Sequence, residues 1–174
     1  MEVSLLSFIS TCAGQEFDLN DSQKASITSF VFGGELIGSV VWGQVADRFG
    51  RRFSYLIACS LISIGGFLSG VAPSYSWLLF FRALVGFGVG GLVVPFDLLA
   101  ELMPSSHRGK FLLYIEFFWT FGSMYVNGVA WLSLSRTSWR VLSYITAAPV
   151  TLASILSYYY LPESPRYLML KGKS

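Results

Sequence analysis

The sequence has few charged residues, two cysteines and a single histidine. Charged residues make up 13% of its 174 positions, about half of the roughly 25% that soluble domains carry. A water-soluble domain could not cover its surface with so few charges. Cys12 and Cys59 are too few for a disulfide framework. The lone His107 forms no metal-ligand cluster and no pairing with a serine, so we predict a protein that is not an enzyme and holds no metal.

Nucleic-acid and dinucleotide binding are also disfavoured. The net charge is only +2, and the basic residues are spread over separate loops rather than gathered into a stripe. Gly86, Gly88 and Gly91 satisfy the pattern G-x-G-x-x-G, but a dinucleotide site needs that pattern after a strand in a soluble βαβ unit. Here the glycines lie inside an apolar run, where helix packing explains them. We expect no cofactor and no nucleic-acid partner.

Long apolar runs dominate what is present. Crossing a hydrocarbon core of ~30 Å takes about 20 apolar residues, and five runs reach that length: 25–46, 53–72, 77–100, 111–134 and 141–161. Residues 1–12 are apolar but too few to span, which predicts the outer part of a first helix; a short interfacial helix is the alternative. The predicted fold is an all-α polytopic membrane protein, a single domain over 1–174 with one partial and five complete helices, truncated at both ends.

Lysines and arginines fall mainly on one side of these runs. Lys24, Arg136 and Arg140 lie on one predicted side, and Arg82 lies inside a run. The other basic residues share the opposite side: Arg48, Arg51, Arg52, Arg108, Lys110, Arg166, Lys171 and Lys173. Because cytoplasmic loops carry the excess of basic residues, we predict that this second group is cytoplasmic. The protein is then multi-pass, in the plasma membrane or in an organelle or vesicle membrane.

Four short patterns lie at set positions relative to these runs. The segment "GQVADRFGRR" has the pattern G-x-x-x-D-R-x-G-R-R, and "RALVGFGVG" has R-x-x-x-G-x-G-x-G. The pattern E-x-x-P-x-x-x-R-G begins at Glu101, and "PESPRYL" begins at Pro162. Their defining residues are Gly43, Asp47, Arg48, Gly50, Arg51 and Arg52; Arg82, Gly86, Gly88 and Gly90; Glu101 and Arg108; and Glu163 and Arg166.

Together these patterns resemble the N-terminal six-helix half of major facilitator superfamily transporters. The texture of the chain is closest to sugar porters and to synaptic-vesicle-type organic-ion transporters. The resemblance implies a lipid bilayer, a small-molecule solute and a C-terminal six-helix half, absent from this chain, as partners.

The same resemblance implies that the loop 47–52 is a cytoplasmic gate. Asp47 would engage the other half when the inner side is closed, and Gly43 would allow helices to approach closely. We expect Asp47, Arg51 and Arg52 to form an ion-pair network there with Glu101, Arg108, Glu163 and Arg166. The alternative is that the arginines only orient the helices through their charge.

Ionisable residues inside the predicted spans are candidates for a solute or proton pathway, because charges in a bilayer usually face a cavity or a partner. Arg82 lies near the outer end of its span. It would either extend to the interface or pair with Glu2 or Glu35. Glu35 is an acid in the second helix that the family resemblance alone does not predict.

Two further groups of candidates lie on the later helices. Glu116, Trp119 and Asn127 follow one another along one run, and a carboxylate, an aromatic face and an amide would suit a cationic or polar organic solute. Asp97 and Glu101 are four residues apart and share a helix face. Two acids this close would raise one pKa towards a range useful for proton coupling, with uniport as the open alternative.

These observations predict a function in transmembrane transport. The chain would move a small polar organic solute, an organic ion or a sugar-like molecule, by alternating access as part of a secondary transporter. The alternative is a non-transporting membrane protein that keeps the fold and serves trafficking or interaction. Acid-to-amide changes at Glu35 and Glu116 separate the two, since only a transporter has uptake to lose.

Overall fold

The computed structural model of the chain consists, in the residues that it describes, of helices joined by short connections. These are residues 2–102, 104, 108–134, 138–164, 167 and 172, with the backbone alone for 2, 3, 100–102, 108, 112 and 134. The helices within this part of the chain are α1 (Glu2–Glu16), α2 (Asp21–Phe49), α3 (Arg51–Val71), α4 (Tyr75–Val89), a 3₁₀ turn (Gly90–Leu92), α5 (Val93–Leu102), α6 (Arg108–Leu134) and α7 (Trp139–Tyr160).

The helices begin before the apolar runs because polar residues form their first turns. At the start of α2, the Asn20 N–H donates to Gln23 Oε1 at 3.0 Å, which is half of a capping box. At the start of α7, Ser138 Oγ accepts from the Arg140 N–H at 3.4 Å. The observed helices therefore start two to four residues earlier than the runs 25–46 and 141–161 do.

The run 77–100 was expected to form one helix, and the structure divides it at the 3₁₀ turn between α4 and α5. Pro95 has no N–H to donate to the carbonyl of Gly91, so the regular α-helical bonding is interrupted at this point. Residues Tyr75–Leu99 still form one apolar stretch long enough to cross a membrane. The break lies where the backbone of this stretch meets α2, since a Cβ at Gly90 would lie 2.5 Å from the Glu35 carbonyl oxygen.

The glycines of the fourth-helix pattern hold α4 against two neighbouring helices. A Cβ on Gly86 would overlap the carbonyl of Val31 in α2, and one on Gly88 would lie 2.9 Å from the carbonyl oxygen of Ala58 in α3. Trp42 Nε1 donates to the Phe87 carbonyl at 2.8 Å across the α2–α4 contact. Small residues allow this backbone-to-backbone approach, so these glycines serve packing in the structure.

Four stretches in the described part of the chain are long and apolar enough to cross a membrane: Asp21–Phe49, Arg51–Val71, Tyr75–Leu99 and Trp139–Tyr160. The fifth predicted run lies in α6, which has 27 residues and is therefore long enough. Its mean hydropathy is too low for it to be counted among the four. Glu116 and Asn127 lie within it, and both lower its hydropathy.

Consecutive helices run antiparallel except for α4 and α5, which continue one stretch, so the bundle has two ends. The predicted loop 47–52 is helical in the structure except at Gly50, which joins α2 to α3; we keep the name loop 47–52 for this junction. We call the end that holds it and the exit of α7 the basic end, and the end that holds Glu16, Ala72 and Ser138 the opposite end. The larger buried cluster lies towards the opposite end and includes Leu5, Ile27, Leu78, Val126 and Leu142. A smaller cluster of Trp42, Ala46, Ala58 and Val94 lies towards the basic end.

Packing of α6 differs between its two halves. Its buried side chains, among those described, are Val126, Ala130 and Ser133. They are spaced as one helical stripe, and all lie in the half nearer the opposite end. In the other half, Phe117, Phe118 and similar side chains are largely exposed.

Candidate functional site

Arg51 joins two acidic residues at the basic end. Its Nη1 lies 2.9 Å from Asp97 Oδ2, and its Nη2 lies 3.6 Å from Asp47 Oδ1. The Arg51 side chain is mostly buried, whereas that of Asp47 is 74% exposed. The Asp47 carboxylate is therefore accessible to another partner. Asp97 was expected on a proton pathway with Glu101; the structure places it on the guanidinium of the signature loop. The sequence spacing could not show this contact because the residues are 46 positions apart.

Glu163 occupies the N-terminus of α3. Its Oε1 accepts from the backbone N–H of Arg52 at 3.1 Å and from that of Ser164 at 3.0 Å. The first N–H groups of a helix attract anions because they lack helical partners and carry the positive end of the helix dipole. Gly50 makes room for the carboxylate, since a Cβ there would lie 2.5 Å from Glu163 Oε2.

Two more contacts hold the exit of α7 at the same place. Arg52 Nη2 donates to the Tyr158 carbonyl at 2.5 Å, and the Tyr167 hydroxyl donates to the Arg48 carbonyl at 3.2 Å. The loop 47–52 is therefore connected to the last turn of α7 and to the segment that follows it. Five predicted gate residues meet here, namely Asp47, Gly50, Arg51, Arg52 and Glu163, and Arg48 contributes its backbone carbonyl.

The other predicted gate residues stay predictions. Glu101 and Arg108 lie in helices at the basic end, but their side chains are outside the described part of the structure, as is Arg166. Gly43 is exposed on α2, and a Cβ added there would meet nothing within 4 Å. The space beside Gly43 is thus open in this half of the molecule.

Arg82 is fully buried inside the bundle. None of its side chain is exposed, and its Nη2 lies 3.5 Å from Ser143 Oγ on α7. Extension to the interface, one of the two expectations for Arg82, does not occur. Pairing with Glu2 stays a prediction because the Glu2 side chain is outside the described residues.

A cavity of about 570 Å³ holds the acid of the second helix. We call it the Glu35 cavity. Its walls come from α2, α4, the 3₁₀ turn, α5 and α6. Beside Glu35 they include Ser39 and three aromatic side chains, Phe32, Phe96 and Trp119. The volume is within the usual range of small-molecule sites, and apolar walls with a few polar groups are typical of them.

A second cavity of about 370 Å³ lies between α3, α4, α6 and α7. We call it the lateral cavity. Its walls include Tyr55, Cys59, Phe118 and Pro149. Trp119, Val89 and Leu92 line both cavities, so the two spaces adjoin each other along these three side chains.

The predicted group of Glu116, Trp119 and Asn127 is not brought together as a single site. Trp119 lines both cavities, whereas Glu116 and Asn127 are exposed and are not among the described residues that line them. The other aromatic side chains that line the Glu35 cavity with Trp119 are Phe32 and Phe96. Sequence reasoning missed Phe32 and Phe96 because two phenylalanines among fifteen carry no signal of their own.

Sequence reasoning also missed an ion pair at the opposite end. Arg140 Nη2 lies 2.8 Å from Glu16 Oε1, and the Trp139 indole N–H donates to the same carboxylate. Arg140 Nη1 donates to the carbonyls of Gly70 and Ala72 at 3.1 and 3.0 Å. The hydrogen bond from Arg140 holds the pKa of Glu16 below its ordinary value, against a smaller opposing effect of burial. This cluster connects α1, α3 and α7.

Comparison with known proteins places the chain in a family. Residues 4–174 match the family model described as "Sugar (and other) transporter". The chain is 39% identical over 173 residues to organic cation/carnitine transporter 7 of Arabidopsis thaliana, covering 99% of this chain and 34% of that protein. It is 40% identical over 172 residues to the synaptic vesicle 2-related protein of Xenopus laevis, covering 99% and 31%.

Solved structures agree with this assignment. The E. coli proton:xylose symporter XylE, bound to 6-bromo-6-deoxy-D-glucose, matches with a TM-score of 0.88 and 26% identity, covering 99% of this chain and 43% of that one. The chain thus spans about a third of the length of the curated relatives that it matches. The predicted all-α membrane fold is confirmed, and the family model, organic cation/carnitine transporter 7 and XylE are all named as transporters. The chain is a multi-pass membrane protein and belongs to the sugar transporter family of the major facilitator superfamily.

Proposed function

We propose that this chain forms the N-terminal half of a secondary transporter that moves a small organic cation by alternating access. The observation that carries the proposal is the Glu35 cavity, in which one carboxylate lies among three aromatic side chains. A carboxylate supplies the counter-charge, and the faces of Phe32, Phe96 and Trp119 attract a cation through their quadrupoles. A C-terminal six-helix half would complete the cavity.

The half-buried position of Glu35 supports this role. An ionised side chain inside a membrane is costly unless it faces a cavity or a partner, and Glu35 faces a cavity. Cation binding would offset that cost only while the solute is present. The name of one relative, organic cation/carnitine transporter 7, agrees with a cationic solute, whereas XylE is named for xylose. The fold is compatible with either kind of solute. The acid among aromatic rings in the Glu35 cavity favours a cation over a sugar.

The cluster at the basic end would act as the inner latch of this transporter. Arg51 and Glu163 hold the loop 47–52 in place within this half, while the exposed Asp47 carboxylate is available to the other half. A contact of this kind at a helix terminus is worth about 0.3 to 1 kcal/mol when exposed. That is enough to bias a conformational equilibrium of a few kcal/mol. In this proposal Asp97 positions Arg51 and takes no part in proton transfer.

Uptake of radiolabelled tetraethylammonium into proteoliposomes that contain the full-length transporter tests the proposal. Glu35→Gln is expected to lower uptake by about tenfold, equal to about 1.4 kcal/mol of binding free energy, and Glu35→Asp to restore part of it. Asp21→Asn is the matched control, because Asp21 is fully exposed at the start of the same helix. Its uptake should equal that of the unchanged protein.

Other outcomes would decide against the cation. If xylose is transported and tetraethylammonium is not, the solute is sugar-like and the role of Glu35 is wrong. If neither is transported by protein that is folded and correctly inserted, the non-transporting alternative gains support. Equal losses in Glu35→Gln and Asp21→Asn would point to a general charge effect.

A further inference from the structure

The lateral cavity adjoins the Glu35 cavity and shares Val89, Leu92 and Trp119 with it. Its walls come from four helices of this chain, with Cys59 on α3, Leu92 beside α4, Trp119 on α6 and Val150 on α7. It therefore lies between helices of this half of the molecule, with Phe118 and Trp119 exposed at its opening. The proposed cation has no role in the lateral cavity, so its use is a separate question.

The chemistry of the walls limits what would bind there. No formally charged side chain is among the described residues that line the lateral cavity, and a charged ligand would lose its hydration without compensation. The polar side-chain groups at the wall include the hydroxyl of Tyr55 and the thiol of Cys59. The rings of Phe118 and Trp119 favour edge-to-face or offset contacts with another aromatic ring.

The volume sets the size of the ligand. An apolar cavity of about 150 Å³ holds one benzene, so the lateral cavity, at about 370 Å³, has room for two fused rings. We propose that the lateral cavity is a binding site for a neutral, two-ring aromatic molecule with one hydrogen-bonding group. We infer further that its occupancy changes solute binding in the Glu35 cavity through Trp119.

Trp119 provides the physical link between the sites. Its side chain is 52% exposed, so the indole has space to change its rotamer. It lies in the half of α6 without described buried side chains, where little packing opposes such a change. A ring bound on the lateral side would restrict the positions of the indole on the other side. Two sites that share one movable wall are coupled in both directions.

Equilibrium binding of tritiated 1-naphthol to the full-length protein in nanodiscs, with binding to empty nanodiscs subtracted, tests the site. Saturable binding at one site per chain is expected. Ala153→Phe places a ring in the wall of the cavity and should abolish that binding. Leu152→Phe is the matched control, since Leu152 is exposed on the same helix and is not among the described wall residues. It should leave binding unchanged.

Two competitors define the ligand class. 1-Naphthoate has the same rings with a negative charge, and 1-decanol has a hydroxyl on a flexible chain. Neither should displace 1-naphthol. Displacement by decanol would show that the cavity accepts acyl chains from the bilayer, and the proposal would be overturned. It would equally fail if no saturable binding occurs, or if Ala153→Phe binds as well as Leu152→Phe does.

Coupling is measured by the effect of 1-naphthol on tetraethylammonium affinity. A change of about fivefold or more is expected, at the lower end of typical couplings between sites. Trp119→Ala should weaken naphthol binding, because the indole lines the site, and at a naphthol concentration that saturates the weakened site the change in tetraethylammonium affinity should be absent. An unaltered tetraethylammonium affinity in the unchanged protein would refute the coupling. Glu35→Gln keeps this test independent of the proposed function, because this variant should lose tetraethylammonium binding and retain naphthol binding.

Discussion

Gly50 shows how one backbone angle determines the identity of a residue in the signature loop. Its φ is +108° and its ψ is 153°, a region that is essentially restricted to glycine. The same residue leaves room for the Glu163 carboxylate at the start of α3. Gly43, the other glycine of the pattern, has ordinary helical surroundings and open space beside it. The two glycines therefore serve different purposes.

Replacing each glycine with alanine tests this difference. Gly50→Ala is expected to lower the free energy of unfolding by about 1 to 3 kcal/mol, because alanine is strained at that φ and ψ. Gly43→Ala should leave it unchanged or raise it by up to about 1 kcal/mol, since alanine is the better helix former. Denaturation followed by circular dichroism in detergent measures both. Equal losses for both variants would contradict the assignment of strain to Gly50.

At this scale the sequence predicts residue types better than it predicts partners. The motif placed Asp47, Arg51 and Arg52 together because they are close in the chain. Glu163 joined them only through the family resemblance. The contact of Asp97 with Arg51 was not predicted, because a carboxylate four residues from Glu101 also fits a pair of acids. Which pairing forms depends on how α5 lies against the loop, and that is a tertiary property.

Between the elements, a proline in α7 is matched by a hydroxyl from α6. Pro149 lies inside α7 and cannot donate to the carbonyl of Ile145, four residues earlier. The Tyr125 hydroxyl of α6 donates to that carbonyl at 3.2 Å. Freed carbonyls in transmembrane helices are commonly satisfied by side chains of neighbouring helices. This hydrogen bond thus attaches α6 to α7.

A double-mutant cycle tests the attachment. Tyr125→Phe is expected to lower the free energy of unfolding by about 0.5 to 1.5 kcal/mol, the usual net value of one hydrogen bond. In the Pro149→Ala background the loss should be smaller, because the new N–H can bond to the Ile145 carbonyl. Unfolding in mixed micelles measures all four proteins. A loss of the same size in both backgrounds would show that Tyr125 acts by another route.

Helix positions were the most predictable part of the fold. Each apolar run coincides with helical segments to within one residue at its C-terminal end, because burial in lipid requires a continuous apolar stretch. The 3₁₀ turn after α4 was not predicted, although Gly90, Gly91 and Pro95 mark it. A proline within a span is tolerated in membranes, so its presence alone does not indicate a break. The fit of Gly90 against α2 decides the geometry.

The whole bundle is joined at the opposite end by the cluster of Glu16 and Arg140. This ion pair connects residues 124 positions apart, which no local pattern could have shown. It brings the end of α1 to the start of α7, and the carbonyls of Gly70 and Ala72 add the end of α3. Global stability is therefore expected to depend on the ionisation of Glu16.

The direction of that pH dependence follows from the lowered pKa of Glu16. Its stabilising effect is fully present above the ordinary pKa of 4.5 and is lost as the pH falls through the lower value of the folded state. Because the Glu16 side chain is 39% exposed, solvent screening limits the effect to about 1 kcal/mol or less.

Melting temperatures between pH 7 and pH 3 measure this dependence. Glu16→Gln should be less stable than the unchanged protein at pH 7, and the difference should shrink towards pH 3. Asp21→Asn, which changes an exposed acid in the same region, should follow the unchanged protein throughout. A gap between Glu16→Gln and the unchanged protein that stays constant with pH would exclude ionisation as the cause.

The uneven packing of α6 has a consequence for how the protein is made. A charged residue near the centre of a helix opposes its insertion into the bilayer by about 2.5 to 3.5 kcal/mol on translocon scales, and Glu116 lies within the less apolar α6. Two features stabilise α6 only when neighbouring helices are in place: its buried stripe of Val126, Ala130 and Ser133, and the hydrogen bond from Tyr125 to the Ile145 carbonyl. During biosynthesis, we therefore expect α6 to need packing against α7 to remain in the membrane.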